Sequence, residues 1–167
     1  MEELIYRDAI LNDLPQIVEI YNSTISGRMV TADTEPVSVE SKVQWFNDHS
    51  PERRPLWVIE NRNSEIIGWA SFQSFYGRPA YNATVEISIY IDTRYRNKGL
   101  GKQILGYCIN TAPRFGIKTL LGFIFEHNEP SLKLFNSFGF ETWALLPNVA
   151  LLDTTERGLK ILGKRIV

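Results

Sequence analysis

Residues 83 to 105, "ATVEISIYIDTRYRNKGLGKQIL", constrain this chain more than any other stretch. The opening alternates, with Val85, Ile87, Ile89 and Ile91 on one side and Glu86, Ser88 and Tyr90 on the other, which is the period of a strand with two different faces. Gly99 and Gly101 then turn the chain. Leu100, Ile104, Cys108, Ile109 and Ala112 follow at helical spacing, and Gly116 stands where that helix should stop. A strand that passes through glycines into a helix start brings several backbone N–H groups toward one point, and the helix dipole favours an anion there. Arg94, Arg96, Lys98 and Lys102 add positive charge to the same turn, a setting suited to pyrophosphate. A plainer reading also stands, in which the glycines only ease helix entry and the cations are solvated.

Two familiar phosphate loops do not fit. A mononucleotide loop needs GxxxxGK[ST], whereas Gly99 and Gly101 are one residue apart and Gln103 follows Lys102. A dinucleotide fingerprint needs a third glycine where Ile104 stands, and no acidic residue is placed about twenty positions on to take a ribose hydroxyl. The chain as a whole is nearly neutral, with 18 Lys and Arg against 19 Asp and Glu, so any anion site is local and neither nucleic acid nor an anionic membrane is an expected partner. The single cysteine, Cys108, forms no internal disulfide or multi-cysteine site. His49 and His127 are far apart, so no metal is expected. Without a charged-then-apolar leader or a long apolar run, the expectation is a cytoplasmic protein.

The remaining elements follow from periodicity. "LIYRDAI" alternates like a strand, and Leu14, Ile17, Val18, Tyr21 and Ile25 fall at helical spacing behind an Asn12/Asp13 cap. A polar stretch, "SGRMVTADTEP", precedes a second helix that starts after Ser38 and carries Val39, Val43 and Phe46. Two strands then meet at Arg62 to Ser64, and "KTLLGFIF" reads as a strand buried on both faces. Pro130 opens a short helix that Gly139 closes, and the last stretch forms a hairpin. This order implies one α/β domain over residues 1–167 with a mixed sheet.

At this point the residues resemble a known family. "RNKGLG", Arg96 to Gly101, matches the [RQ]xxG[x][GA] signature of the GNAT N-acetyltransferases, placed between a strand and a helix as that family requires. "NEPSLKLFNSFGF", Asn128 to Phe140, is similar to the second half of the family pattern. "IYNSTI", "TADTEP" and "RPAYNATVEISIYI" resemble the bacterial phosphinothricin acetyltransferase branch. The resemblance implies a GNAT fold: a mixed central sheet splayed at the acetyl-CoA-binding strands and flanked by helices. It implies acetyl-CoA as donor, its pyrophosphate on Arg96, Asn97, Lys98, Gly99, Leu100, Gly101 and Lys102, and its pantetheine arm paired like an added strand with Ile89, Tyr90 and Ile91. Asn128 and Ser131 would lie beside that arm, although Asn128 reads equally well as a helix cap. A homodimer is expected from the branch alone.

Glu86 is the expected base. An amine must lose its proton to attack a thioester, and a partly buried carboxylate of raised pKa, close in sequence to the proposed coenzyme contacts, suits that task. The matching branch position is also glutamate. A backbone N–H near Tyr90 is the expected oxyanion donor. The family's usual tyrosine acid is replaced by Phe135, so the acid is unassigned. For the acceptor, Tyr76, Gly77 and Arg78 precede the Glu86 strand, with Arg78 a fork for a carboxylate or phosphinate, and Glu86 and Ser88 share the strand face. Arg28, Met29 and Thr31 are weaker candidates from the opposing loop. Trp45, Phe46, Trp57 and Trp69 read as core, and Cys108 as buried and inert. The expected reaction is direct acetyl transfer, in a ternary complex, to the α-amino group of phosphinothricin, methionine sulfoximine or methionine sulfone. The alternatives are a peptide, lysine or polyamine acceptor, or a non-catalytic acetyl-CoA-binding module.

Overall fold

A computed structural model describes residues 3–167. Strands β1 (Ile5–Asp8), β2 (Leu56–Glu60), β3 (Ile66–Ser74), β4 (Thr84–Ile91), β5 (Thr119–Phe125), β6 (Glu141–Leu152) and β7 (Thr155–Arg165) form one sheet in the order β1-β2-β3-β4-β5-β7-β6. Neighbours are antiparallel except β4 and β5. A parallel pair needs a crossover, and helix α3 (Leu100–Thr111) supplies it. Helices α1 (Leu14–Ser23), α2 (Val43–Asn47) and α4 (Glu129–Ser137) complete the layers. No helix among the described residues is long and apolar enough to cross a membrane.

The alternation of β4 separates two sides of the sheet. Val85 and Ile87 join Phe72, Ile104, Leu105, Cys108, Leu132 and Phe135 in a closed core beneath α3 and α4. Each fully buried aliphatic side chain there contributes roughly 1.5–3 kcal/mol. On the other side α1 lays Ile17 and Ile20 against Leu56, Val58 and Trp69. As expected, β5 is buried along nearly its whole length.

The sheet is splayed at its parallel pair. Strands β4 and β5 register only through Thr84↔Thr119, Val85↔Leu120 and Glu86↔Leu121. Beyond that point β4 stays with β3 as far as Ile91↔Gly68, while β5 stays with β7. Among the described residues, the outer edge of β4 from Ile87 to Ile91 is therefore left without a strand partner.

Two local expectations change. Asp13 does not cap α1; its carboxylate accepts from the Ile10 N–H at 2.8 Å and from the Arg7 guanidinium at 2.8 and 2.9 Å. A bidentate fork competes well for a carboxylate, and Arg7 also reaches Glu60. The second helix is shorter than expected. Ser38 does accept from the Ser41 N–H at 3.2 Å, but a single 3₁₀ turn precedes the five residues of α2. Val43 is exposed there, so the side of this segment that meets the protein carries Lys42 and Trp45.

Candidate active site

The antiparallel register pairs Gln73 with Glu86, Ser71 with Ser88 and Trp69 with Tyr90. Directly opposed residues share a face, so the polar side of β4 continues across β3. Helix α1 and the Lys42–Trp45 segment roof this face and enclose a cleft of about 250 Å³. Its aromatic walls are mutually supported: Trp69 stacks on Tyr90 with centroids 4.5 Å apart, Trp45 meets Trp69 edge-on at 5.3 Å, and Tyr21 lies 5.1 Å from Tyr90.

Glu86 and Ser88 line the cleft. Among the described residues, the Glu86 carboxylate makes no ion pair or side-chain hydrogen bond, and burial pushes its pKa above the ordinary carboxylate value. Burial also pushes the Tyr90 hydroxyl up to about 12, so this phenol is neutral across physiological pH. Tyr21 bonds through its hydroxyl to Thr31 and Asp33, which ties the loop before α2 to the roof.

The open edge of β4 carries the second component. Asp92 N–H donates to Ile67 at 2.9 Å, so the antiparallel ladder turns the backbone of Tyr90 toward β3 and that of Ile89 and Ile91 outward. Outward N–H and C=O groups suit an amide-bearing chain laid along the edge. Near Tyr90, the outward-facing amides are therefore those of Ile89 and Ile91, while that of Tyr90 itself faces β3.

The glycine turn stands directly after this edge. Asn97 and Gly99 have φ of +62° and +76°, and Gly99 caps α3. Helical geometry leaves the first N–H groups of α3, those of Leu100, Gly101 and Lys102, without intrahelical partners. Gly101 also permits close packing, since a Cβ there would lie 3.1 Å from Leu134 and 3.8 Å from Ile91. Arg96, Asn97, Lys98 and Lys102 are exposed, while Leu100 is buried and offers only its backbone. Arg94 is spent elsewhere: it bonds the Asp92 carboxylate at 2.7 Å and holds that group below its usual pKa.

Other expected residues have structural partners or lie outside the cleft. Buried Asn128 caps α4 by accepting from the Ser131 N–H at 3.2 Å, and its amide donates to the Met29 carbonyl at 3.0 Å. Ser131 is half-buried in the first turn of α4. Arg28 pairs with Asp153 and also donates to the Thr34 carbonyl, so it and Met29 anchor the loop without lining the cleft. Tyr76, Gly77 and Arg78 are exposed in the β3–β4 loop, outside the cleft, with Tyr76 78% exposed. Phe135 is buried, so close to β5 that a Cβ on Gly122 would lie 2.8 Å from its ring. Cys108 is fully buried, which drives its thiol pKa upward and leaves it protonated.

The sequence reading missed part of the cleft. Trp69 is core as expected but also lines the cleft, as do Trp45, Ile17, Val18, Tyr21, Lys42 and Gln73. Trp57 is core as expected, and Phe46 is partly buried against the α1 core. The available signal was the alternation of Trp69, Ser71 and Gln73, which repeats the mixed face of β4. Lys42 and Trp45 also stand three apart, on one side of a helical turn.

A sheet opened at one parallel pair, with free strand edge leading into an anion-binding helix start and a carboxylate beside it, defines a coenzyme-dependent acyl-transfer scaffold. Comparison with known proteins agrees: the model of the acetyltransferase (GNAT) family matches residues 14–140. The chain belongs to this family and is an N-acetyltransferase. It is 53% identical to the Bacillus subtilis protein named "Putative phosphinothricin acetyltransferase YwnH", covering 92% of this chain and 94% of the relative. It is 31% identical to an L-methionine sulfoximine/L-methionine sulfone acetyltransferase of Pseudomonas aeruginosa, over 86% and 83% of the two chains. A crystal structure of a phosphinothricin acetyltransferase from Sinorhizobium meliloti in complex with AcCoA superposes with a TM-score of 0.90 at 25% identity, over 97% of this chain and 88% of the other.

Proposed function

We propose that this protein, as a single domain over residues 1–167, transfers acetyl from acetyl-CoA to the α-amino group of a small amino-acid analogue. Phosphinothricin, methionine sulfoximine and methionine sulfone are the leading acceptors. The observation that carries this reading is the unpaired Glu86 carboxylate in an aromatic cleft alongside the open edge of β4. The open backbone edge of β4 and the free N–H groups at the start of α3 support acetyl-CoA as the donor. Ile89 and Ile91 would hold the pantetheine arm through their backbones, with the Tyr90 side chain below it in the cleft. Arg96 to Lys102 would hold the pyrophosphate, and Asn128 and Ser131 would border the arm from α4.

Bound acetyl-CoA supplies the electrophilic thioester carbonyl. Glu86 takes a proton from the acceptor ammonium, directly or through water, and the burial that raises its pKa makes it a stronger base than an exposed carboxylate. Amides on the open edge of β4 offset negative charge on the carbonyl oxygen. No covalent enzyme intermediate is required. A thiolate of ordinary pKa near 8.5 is an adequate leaving group, which fits a protein whose Phe135 has no proton to give.

We also propose a cytoplasmic homodimer. The edge strand β6 exposes Trp143, Leu145, Val149 and Leu151, an apolar band that a second copy would cover. Light scattering should then give about twice the 19.2 kDa chain mass, and a monomer overturns the assembly.

The activity test is thiol release from acetyl-CoA with phosphinothricin, methionine sulfoximine, methionine sulfone, ordinary amino acids, polyamines and peptides. Turnover concentrated on the first three supports the reading. Turnover only of peptides, lysine side chains or polyamines replaces it, and acetyl-CoA binding with no turnover points to a binding module.

A further inference from the structure

The cleft contains one cation as well as one carboxylate. Lys42 is half-buried at its rim, with its ammonium 5.3 Å from the centroid of the Tyr21 ring. Among the described residues, it makes no ion pair and no side-chain hydrogen bond. Asp33, in the loop before this segment, is engaged by the Tyr21 hydroxyl. Two opposite charges therefore line one aromatic-walled cleft, each without a protein counter-ion. With no protein partner, each charge is free to pair with a ligand group of opposite sign inside the cleft.

An α-amino acid carries the complementary pair. Its ammonium must approach Glu86 for deprotonation, which leaves its carboxylate, two bonds away, to find a cation within the same cleft. The arginine that sequence alone offered for this task, Arg78, is exposed and outside the lining. Arg28 and Arg94 are paired with Asp153 and Asp92. Arg54 is buried on Ser74 and the Asn82 carbonyl, where it braces the β3–β4 loop.

We propose that Lys42 binds the acceptor carboxylate, so that the cleft selects a zwitterionic α-amino acid lying between Lys42 and Glu86. This rests on the amino-acid reading above and assigns its specificity to one residue. Lys42 is then a specificity determinant that touches substrate without handling a proton in the reaction. Its loss should raise KM for carboxylate-bearing acceptors and leave kcat nearly intact. The lost charge-assisted hydrogen bond corresponds to about a tenfold to hundredfold change.

The test compares methionine sulfone with 3-(methylsulfonyl)propan-1-amine, the same molecule without its carboxylate, in wild type, Lys42→Met, Lys42→Arg and Arg78→Ala. The proposal expects Lys42→Met to lose the preference for methionine sulfone, with unchanged KM for acetyl-CoA and an unchanged melting temperature. Lys42→Arg should restore most of that preference. Equal losses on both acceptors, no loss, or transfer of the effect to Arg78→Ala overturns it while leaving the acetyltransferase reading intact. Calorimetry with N-acetylmethionine sulfone provides a readout independent of turnover. Binding that depends on Lys42, without turnover of any amino acid, sustains the carboxylate site and overturns the proposed substrate. Absence of both turnover and binding overturns both.

Discussion

The cleft proposed for the acceptor and the glycine turn proposed for the donor would solve recognition in opposite ways. The cleft is assembled from α1, the Lys42–Trp45 segment, β3 and β4, and its specificity lies in side chains held by packing: stacked Trp69 and Tyr90, buttressing Trp45 and an isolated Glu86. The turn comes from one continuous stretch, is largely exposed, and offers backbone N–H groups set by positive φ at Asn97 and Gly99. A phosphate present in every donor molecule can be met by backbone, which carries no residue identity. An acceptor that must be distinguished from other amines needs side chains and exclusion of water. Substitutions in the cleft should therefore alter kcat or acceptor KM, whereas those in the turn should alter acetyl-CoA KM.

The largest separation is expected from Glu86→Gln. Loss of a general base should lower kcat by about 10²–10⁴-fold and leave acetyl-CoA affinity unchanged, as read by steady-state kinetics and calorimetry. The wild-type acid limb of kcat/KM, set by the raised Glu86 pKa, should disappear in the variant. Stability should move the other way. Because burial raises the folded pKa above its unfolded value, the folded state holds the proton more tightly. That stabilising contribution is full below the unfolded pKa and is lost as pH rises through the folded pKa. Glu86→Gln removes this loss, so its melting temperature relative to wild type should improve between acidic and neutral pH. A variant that melts lower at every pH would show that the carboxylate has structural partners in solution.

Gly99→Val tests the turn. An L side chain in this left-handed conformation costs roughly 1–2 kcal/mol, and relief of that strain would move the N–H groups apart. Acetyl-CoA KM should rise about tenfold or more, with acceptor KM unchanged; a mainly acceptor-side effect would collapse the distinction between the regions.

Trp45→Ala is the corresponding cleft substitution, and a few-fold to roughly tenfold increase in acceptor KM is expected from loss of its edge contact with Trp69. Its acetyl-CoA KM should stay near wild type.

The smallest effect should come from salt. Raising ionic strength from about 50 mM to about 500 mM shortens the screening length from roughly 14 Å to 4 Å. Acetyl-CoA KM should rise severalfold because Arg96, Lys98 and Lys102 are exposed. The acceptor KM should respond less, since Lys42 and Glu86 are partly enclosed.

These regions also differ in how visible they are in the primary structure. The turn is local, so glycine spacing, cations and the following helix place it without knowledge of anything distant. Glu86 is similarly visible from alternation, although its burial is not. Lys42 and Trp45 were obscured because the expected apolar positions of that segment included Val43, which the short α2 leaves exposed. That the loop carrying Arg78 lies outside this cleft is likewise not visible from its sequence proximity to β4. Asn128 has one local role as a cap and one long-range role to Met29, and only the first can be inferred from neighbouring residues.

Local chemistry by itself determined the element order, the dry and polar faces of β4, the anion-ready helix start and the absence of a phenolic proton at Phe135. Tertiary structure decided where β4 parts from β5, which helices roof the polar face, and which charges lack partners. Periodicity encodes the direction of a side chain within its own element, whereas pairing registers and neutralising contacts depend on residues brought together from tens of positions away.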